Sequence, residues 1–451
     1  NTFTGGFTLE NGTVWLNSAG GPAIATNITL GNNTTAQSNL RMMRDNQFAD
    51  GLVLTTGNAI GNWTHLDLRG TNQSLKQIIS GSSTTQGSLV LQNIGLDGSV
   101  VSGRSQGTLT LTGNGDSILN AYVRDRNDNG TTNSLKIVKQ GSGDLLFLQT
   151  STTDDGVNFT GGLDVQGGTV TVGNGSYHGR IGSAPVSLAA GTPLTYFRST
   201  NPYSIANNWS GSGTVILKGT GANGQSSFTY TGTNALTAAG TVVVDKARFD
   251  VSTGGTLGNA STIDVRTGGQ LFFSGAASGT FSAPIRLAGS GWREPDGSQM
   301  GAIRHSSSNL VTLSGPITLA NDARIHTSGA GHLAISGVID DGVNSFGLEK
   351  TGYYGLTLTG ANTYGGDTVI RGGRLLLNNA SGPALYNGTT GTVRINNDNS
   401  TGSYSAGSHF VGLQTLRDDQ LGSNVNVWFD GTSYSAGFFN EFSLNGTSQT
   451  I

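Results

Sequence analysis

The chain has 451 residues, 72 of them glycine, 8 proline and none cysteine, and its formal net charge is −3. Without cysteine there is no disulfide scaffold and no thiolate metal site. The slight negative charge leaves no basic footprint for nucleic acid, and glycine without a G-x-y period excludes collagen. Charged residues make up 11% of the chain, against roughly 25% in an average globular domain. Neutral Ser, Thr and Asn are therefore expected to solvate the surface. No apolar run is long enough to cross a membrane as a helix, and no charged-then-apolar leader opens the chain.

Taken in order, the chain alternates apolar and polar residues in short runs interrupted by glycine. Period two over four or five residues predicts a strand with one buried face. Glycine at the interruptions predicts tight turns. Asn1–Gly6 is followed by Phe7, Leu9, Gly12, Val14 and Leu16. Residues 38–50, SNLRMMRDNQFAD, are the least strand-like and are expected to form a short helix or a crossing loop. The rhythm resumes through Leu54, Leu68, Leu91 and Leu111 to a unit that starts near Leu135. There Lys139, Gly141, Gly143, Leu145 and Phe147 lead to Phe159, Gly161, Val165, Gly168 and Val172. Residues 173–203 are irregular and carry Pro185, Pro193 and Pro202, so a connection or small excursion is expected. A worn unit runs from Leu217, Lys218 and Gly219 to Val244. Gly291–Gly297 has the turn chemistry of a surface loop. The clearest unit is Leu348–Leu377, and alternation continues to Phe429.

The repeats near 1–16, 135–172, 215–244 and 348–377 share one grammar. From Phe159 to Val172 the second copy aligns without a gap on Tyr364 to Leu377. A repeated unit made only of short strands is the signature of a solenoid. The expected fold is all-β, a right-handed parallel β-helix running through 1–451 as one elongated body with small loop excursions. At roughly 20–25 residues and ~4.8 Å per coil, about 18–22 coils would stack over roughly 85–105 Å. The chain opens inside a repeat and closes, at Phe442–Ile451, on the opening of another coil. It is therefore expected to be a segment of a larger protein.

The clearest repeat carries a longer pattern: Lys350, Gly352, Leu356, Leu358, Gly360, Asn362, Thr363, Tyr364, Gly366 and Thr368, then Ile370, Gly373 and Leu375. This order resembles the passenger-associated transport repeat, also called the autotransporter-associated β-strand repeat. Tyr354 stands where that repeat usually has glycine, and Asp367 where its second glycine usually falls. With the degenerate copies the resemblance covers about a third of the chain. It implies a β-helical passenger domain, exported to a bacterial cell surface within a larger polypeptide and joined to the outer membrane through parts outside this chain. It implies no particular activity.

Catalytic and ligand-binding patterns are sparse. Asp125-Arg126-Asn127-Asp128-Asn129-Gly130 matches the first half of a calcium loop, but Lys136 stands where the closing glutamate belongs. A turn joining two coils is the simpler reading. Glycosidase chemistry needs two carboxyls flanking one bond. Asp154-Asp155, Asp340-Asp341 and Asp418-Asp419 are sequence neighbours, which strands point to opposite faces. His65, His178, His305, His326, His332 and His409 show no metal-ligand spacing. Gly103-Arg104-Ser105-Gln106-Gly107 fits a nucleophile elbow by letter, but a strand pattern follows where a helix is required. Gly219, Gly221 and Gly224 fit a phosphate-loop pattern, again without a helix.

Asparagines beside glycine (Asn11, Asn129, Asn174, Asn387 and Asn445) are expected to bond neighbouring amides and to form ladders. The sequons at Asn62, Asn208 and Asn259 read as chance in a chain rich in Asn, Ser and Thr. Trp15, Tyr230, Tyr364, Trp428 and Phe429 are expected in core stacks. No catalytic, cofactor or metal residue is assigned, and no cofactor is expected. The functional expectation is a structural or adhesive extracellular rod, not an enzyme, that associates end to end and presents loops to a host surface or polysaccharide. A carbohydrate-active β-helix enzyme and a phage tail spike are the alternatives.

Overall fold

The computed structural model describes residues 3–31, 37–57, 63–82, 89–93, 101, 103–125, 133–149, 157–176, 178–199, 202–252, 255–258, 260–396, 409–430 and 438–450. Among them there is no helix, and the strands pair in parallel through about 15 turns of a β-solenoid. Two compact units are distinguished: Asn1–Arg198 with Ala206–Val215, and Ser199–Ile205 with Ile216–Ile451. Each is a parallel β-helix with three sheet faces.

In the first unit one face stacks Phe7–Leu9, Ile28–Leu30, Val53–Thr56, Gln77–Ser80, Ser117–Leu119, Asp144–Phe147, Thr169–Val172 and Pro193–Phe197. A second stacks Gly12–Leu16, Ser38–Met42, Thr64–Asp67, Leu89–Gln92, Tyr122–Arg124 and Val157–Asn158. The third stacks Asn72–Leu75, Gln106–Leu111, Ser134–Lys139, Leu163–Val165, Val186–Leu188 and Trp209–Gly211.

The longest face of the second unit runs from Tyr203–Ile205 through Ser227–Tyr230, Arg248–Val251, Gln270–Phe273 and Ile303–His305. It continues through the second half of Ile317–Thr327 to Leu348–Thr351, Thr368–Ile370, Gly391–Asn396 and Val425–Asp430. Another face holds Thr241–Asp245, Thr262–Val265, Ile285–Gly289, the first half of Ile317–Thr327, and Ile339–Asp340. The third holds Gly279–Phe281, Val311–Leu313, Leu333–Ile335, Leu356–Leu358, Arg374–Leu377, His409–Thr415 and Phe438–Ser443.

Alternation along each strand becomes columns along each unit. Ile28, Leu54 and Ile78 stand in register and are buried. So do Leu109, Ile137, Leu163, Val186 and Trp209. Burying one such aliphatic side chain contributes about 1.5–3 kcal/mol. A slip of one residue would turn every column outward, so the register is strongly fixed.

Three expectations are corrected. Residues 38–42 form neither helix nor loop but a strand, and all five side chains are buried. Alternation fails there because the outward Arg41 is covered too, by the ring of Trp15. Residues 173–203 are not an excursion: Val186–Leu188 and Pro193–Phe197 are coil strands, with Pro193 at the first strand position where its missing N–H is tolerated. The number of turns is below the expected range because some coils are long. Leu271 pairs with Ile303 only after the 291–301 loop has left and rejoined the coil.

Corners where coils nearly touch require glycine. Gly352 has φ +84°, and a Cβ there would lie 2.2 Å from the Thr327 carbonyl oxygen of the neighbouring coil. Gly342 has φ +65° but open space around it. Gly352→Ala is therefore expected to cost clearly more stability than Gly342→Ala. Strain of the second kind alone is on the order of 1 kcal/mol, and the clash at Gly352 should add about 1–3 kcal/mol more. Urea unfolding of the full chain with each variant measures the difference, and equal costs would contradict the close-packed corner.

Candidate functional site

The lysine of the repeat sits in an apolar column. Lys350 stands in register between Ile325 and Ile370, and Lys139 between Leu111 and Val165. Lys350 is fully buried, and its Nζ donates to the carbonyls of Thr351 (2.8 Å), Gly352 (3.2 Å) and Gly372 (2.8 Å). Lys139 repeats this with the carbonyls of Gln140, Gly141 (2.8 Å) and Gly167 (3.4 Å). Burial pushes the Lys350 ammonium down to about 7, and Lys139 is shifted in the same direction by the same cause. A perturbed lysine can mark a catalytic base. Here the amine is closed in by carbonyls from two consecutive coils, and three acceptors match the three N–H donors of an ammonium. It is a corner staple. The worn copy lacks it: Leu217 takes the buried position and Lys218 faces out.

Buried amides staple other corners. Asn362 accepts from the Ile339 amide (2.8 Å) and donates to the Ala384 carbonyl (2.7 Å), joining the coils on either side of its own. Asn234 donates to the Leu257 carbonyl (2.6 Å), and Asn207 to those of Gly182 and Ala184. Glutamines build short ladders. The Ser18 amide donates to the Gln47 side chain (2.7 Å) and the Gln47 amide to the Gln73 side chain (2.9 Å). Gln420 and Gln449 repeat this in the second unit. These are not the asparagines beside glycine. Asn174 caps its own turn at Ser176, and Asn445 has φ +49° in a turn. Asn129 lies outside the described residues.

The patterns singled out by letter resolve individually. Asp125 is buried, and its carboxylate accepts from the Leu135 amide (2.7 Å), the Thr160 amide (3.1 Å) and the Thr160 hydroxyl (2.6 Å). Its oxygens hold a neighbouring coil, while residues 126–130 lie outside the described residues. Asp341 accepts from the Phe346 and Gly365 amides, and Asp340 from the Gly342 amide. Asp418 and Asp419 accept from the Ser448 and Thr450 amides. Asp154 and Asp155 lie outside the described residues, as do Asn62 and Asn259. Among the described residues no three His, Asp or Glu side chains are grouped to hold a metal.

His326 lies 2.9 Å from the Thr351 hydroxyl, and burial, reinforced by Lys350, Arg304 and Arg324, pushes it down to about 3. His305 donates through Nε2 to the Asn309 carbonyl at 3.1 Å. Ser105 precedes the strand Gln106–Leu111, so no nucleophile elbow forms. Gly219 to Gly224 likewise leads into the strand Ser227–Tyr230.

The aromatic expectation divides. Tyr230 and Tyr364 are buried, Tyr364 with its hydroxyl 2.7 Å from Thr368. Trp15, Trp428 and Phe429 are 45%, 56% and 55% exposed, so their assignment to core stacks is corrected. Trp15 lies on the outer face, with the Arg41 and Arg69 guanidiniums each 4.9 Å from its ring centre. Trp428 points outward beside Arg394. Phe429 occupies the inward position in register with Ile395 but is not buried.

Sequence reading also missed a charged row on the longest face of the second unit. Arg324, Glu349, Val369, Arg394 and Trp428 stand in register across five strands. Glu349 is clamped by Arg324 (3.1 Å) and Arg371 (2.7 Å), and Asp367 by Arg394 (2.8 Å). Asp322, Glu349 and Asp367 line one cleft of about 490 Å³. A glycosidase needs one carboxyl that donates a proton to the leaving group. All three of these carboxylates act as acceptors, Asp322 from the Gly347 amide at 2.7 Å. Their signal in sequence was spacing at one coil length, visible only once the coils are counted correctly.

Replacing Lys350 by Met leaves three corner carbonyls without a donor and is expected to cost about 2–4 kcal/mol. Lys218→Met, on the outer face, should stay within about 0.5 kcal/mol. Hydrogen exchange of the 348–351 amides reads the first variant and that of the 214–218 amides the second, each in the full chain. The lysine also sets a pH dependence. Its folded value near 7 lies below the ordinary 10.5, so between these values the unfolded chain binds the extra proton. Stability contributed here should rise with pH by up to about 1.4 kcal/mol per unit from pH 7.5 to 9.5 and flatten below 7. That slope should be absent in Lys350→Met.

Comparison with protein-family models, with curated proteins and with solved structures finds no match to this chain.

Proposed function

We propose that this protein is a structural, adhesive β-helical scaffold whose coils associate end to end, placed outside a bacterial cell as part of a surface protein. The observation that carries this reading is the parallel main-chain ladder that runs coil to coil within each unit around columns of buried apolar side chains. A coil of a second copy of the chain would extend such a ladder as each coil extends the one before it. Such a head-to-tail contact does not close on itself and produces filaments. Support also comes from the interior, where lysine, asparagine and glutamine side chains join coil to coil. The surface location rests on the repeat carried by Lys350, Gly352, Asn362, Tyr364 and Gly373, which resembles that of autotransporter passengers. An enzymatic reading is not adopted, because the acids of the cleft at Glu349 and Asp367 are engaged by arginines.

Sedimentation and negative-stain electron microscopy of the purified chain test the proposal. The native chain is expected to form concentration-dependent oligomers or filaments. A native chain that stays monomeric across the micromolar range would refute end-to-end assembly.

A further inference from the structure

The 291–301 loop leaves the coil of the second unit and is held in place by groups that the coil itself does not need. Glu294 is buried and shares its Oε1 between the guanidiniums of Arg248 and Arg304, the latter at 2.7 Å. Trp292 is buried, donates through Nε1 to the Gln225 carbonyl (2.6 Å), and lies 3.9 Å from the Arg248 guanidinium by its ring centre. Arg248 and Arg304 also stand 4.7 Å from the Phe272 ring. The Gly224 amide donates to the Arg293 carbonyl, and Gly224 packs against Pro295. The loop is thus pre-organised over the 219–226 turn.

Between the two lies a cleft of about 490 Å³, lined by Thr220, Thr267, Lys246, Trp292, Arg293 and Gln299 together with small residues. This volume is in the range of small-ligand sites. The Lys246 stem runs between Gly221 and Gly268, whose added Cβ atoms would lie 3.5 and 3.4 Å from it. Those distances are ordinary contact, and it is the positive φ of +80° at Gly221 and +85° at Gly268 that calls for glycine. Among the described residues no acid lines the cleft. Neither the Lys246 ammonium nor the Arg293 guanidinium has an ion-pair or side-chain hydrogen-bond partner among the described residues. Every other arginine on this part of the unit, namely Arg248, Arg266, Arg286 and Arg304, is paired with a carboxylate.

We propose that this cleft binds an acidic oligosaccharide, with Arg293 and Lys246 engaging carboxylates of successive sugar units and Thr220, Thr267 and Gln299 facing their hydroxyls. Two unpaired cations in a wall free of acids select an anion. A planar guanidinium matches a carboxylate in bidentate fashion, and the ammonium adds a point charge. The neutral polar lining suits a polyhydroxylated ligand. The proposal is independent of end-to-end assembly.

Titration calorimetry of the full chain with a galacturonate oligomer tests it, with the matching neutral galactose oligomer, inorganic phosphate and dextran sulfate as comparisons. The expected result is binding of the uronate that the double variant Lys246→Asn, Arg293→Gln weakens by about 10-fold or more, with little binding of the neutral oligomer or of phosphate. Asparagine tolerates the φ of +52° at position 246, and unchanged circular dichroism and thermal unfolding verify folding. Absence of uronate binding by the native chain overturns the proposal. So does equal binding of the neutral oligomer or of phosphate, or retention of dextran sulfate and uronate by the double variant at native strength.

Discussion

Each coil of this protein is built on the main-chain ladder to the coil before it, and the ladder breaks at every corner. A corner between two strands leaves carbonyls and amides that neither strand pairs, and leaving them buried without partners is costly. The structure answers with buried side chains long enough to reach from a column position to the turn. Lys350 and Lys139 supply three donors each to carbonyls. Asn362 and Gln420 satisfy both a donor and an acceptor on adjacent coils. A lysine in an apolar column contradicts simple hydrophobic patterning. It is sustained because its N–H groups meet carbonyl dipoles, to which the Asp144 and Asp116 carboxylates add at Lys139.

The same economy of charge explains the surface. The chain carries few ionisable groups, and in the second unit many of them are gathered in rows across strands. Parallel stacking brings residues one coil apart in sequence side by side, so Arg324 meets Glu349 and Arg394 meets Asp367. Half-exposed pairs of this kind contribute modestly to stability. Against that background Lys246 and Arg293, without an ion-pair partner among the described residues, stand apart, and so does the buried Arg248–Glu294–Arg304 cluster that holds the loop beside them. Burial pushes the Arg248 guanidinium down and the nearby Asp250 carboxyl up. Such a costly cluster is consistent with a loop that must keep one shape.

A scaffold and a binding loop are compatible roles. Loops carried on a rigid framework are where recognition concentrates, and a solenoid tolerates insertions between coils because each coil contacts only its neighbours. The coil provides position, and the excursion at 291–301 provides chemistry.

Sequence alone determined the strands and their solenoid stacking. Period-two alternation and glycine spacing are local properties, and in Leu348–Leu377 they marked the buried residues Leu356, Leu358, Ile370, Leu375 and Leu377. Alternation failed at residues 38–42, where both faces of the strand are covered, and at residues 173–203, where proline obscured two strands. What only the tertiary structure decided was which polar residues meet across coils. The partners of Lys350, the buried position of Glu294, the exposure of Phe429 and the cleft at Lys246 all depend on register between segments joined by coils of unequal length. That register is fixed by the stacking of whole columns, a non-local sum that no short stretch of sequence contains.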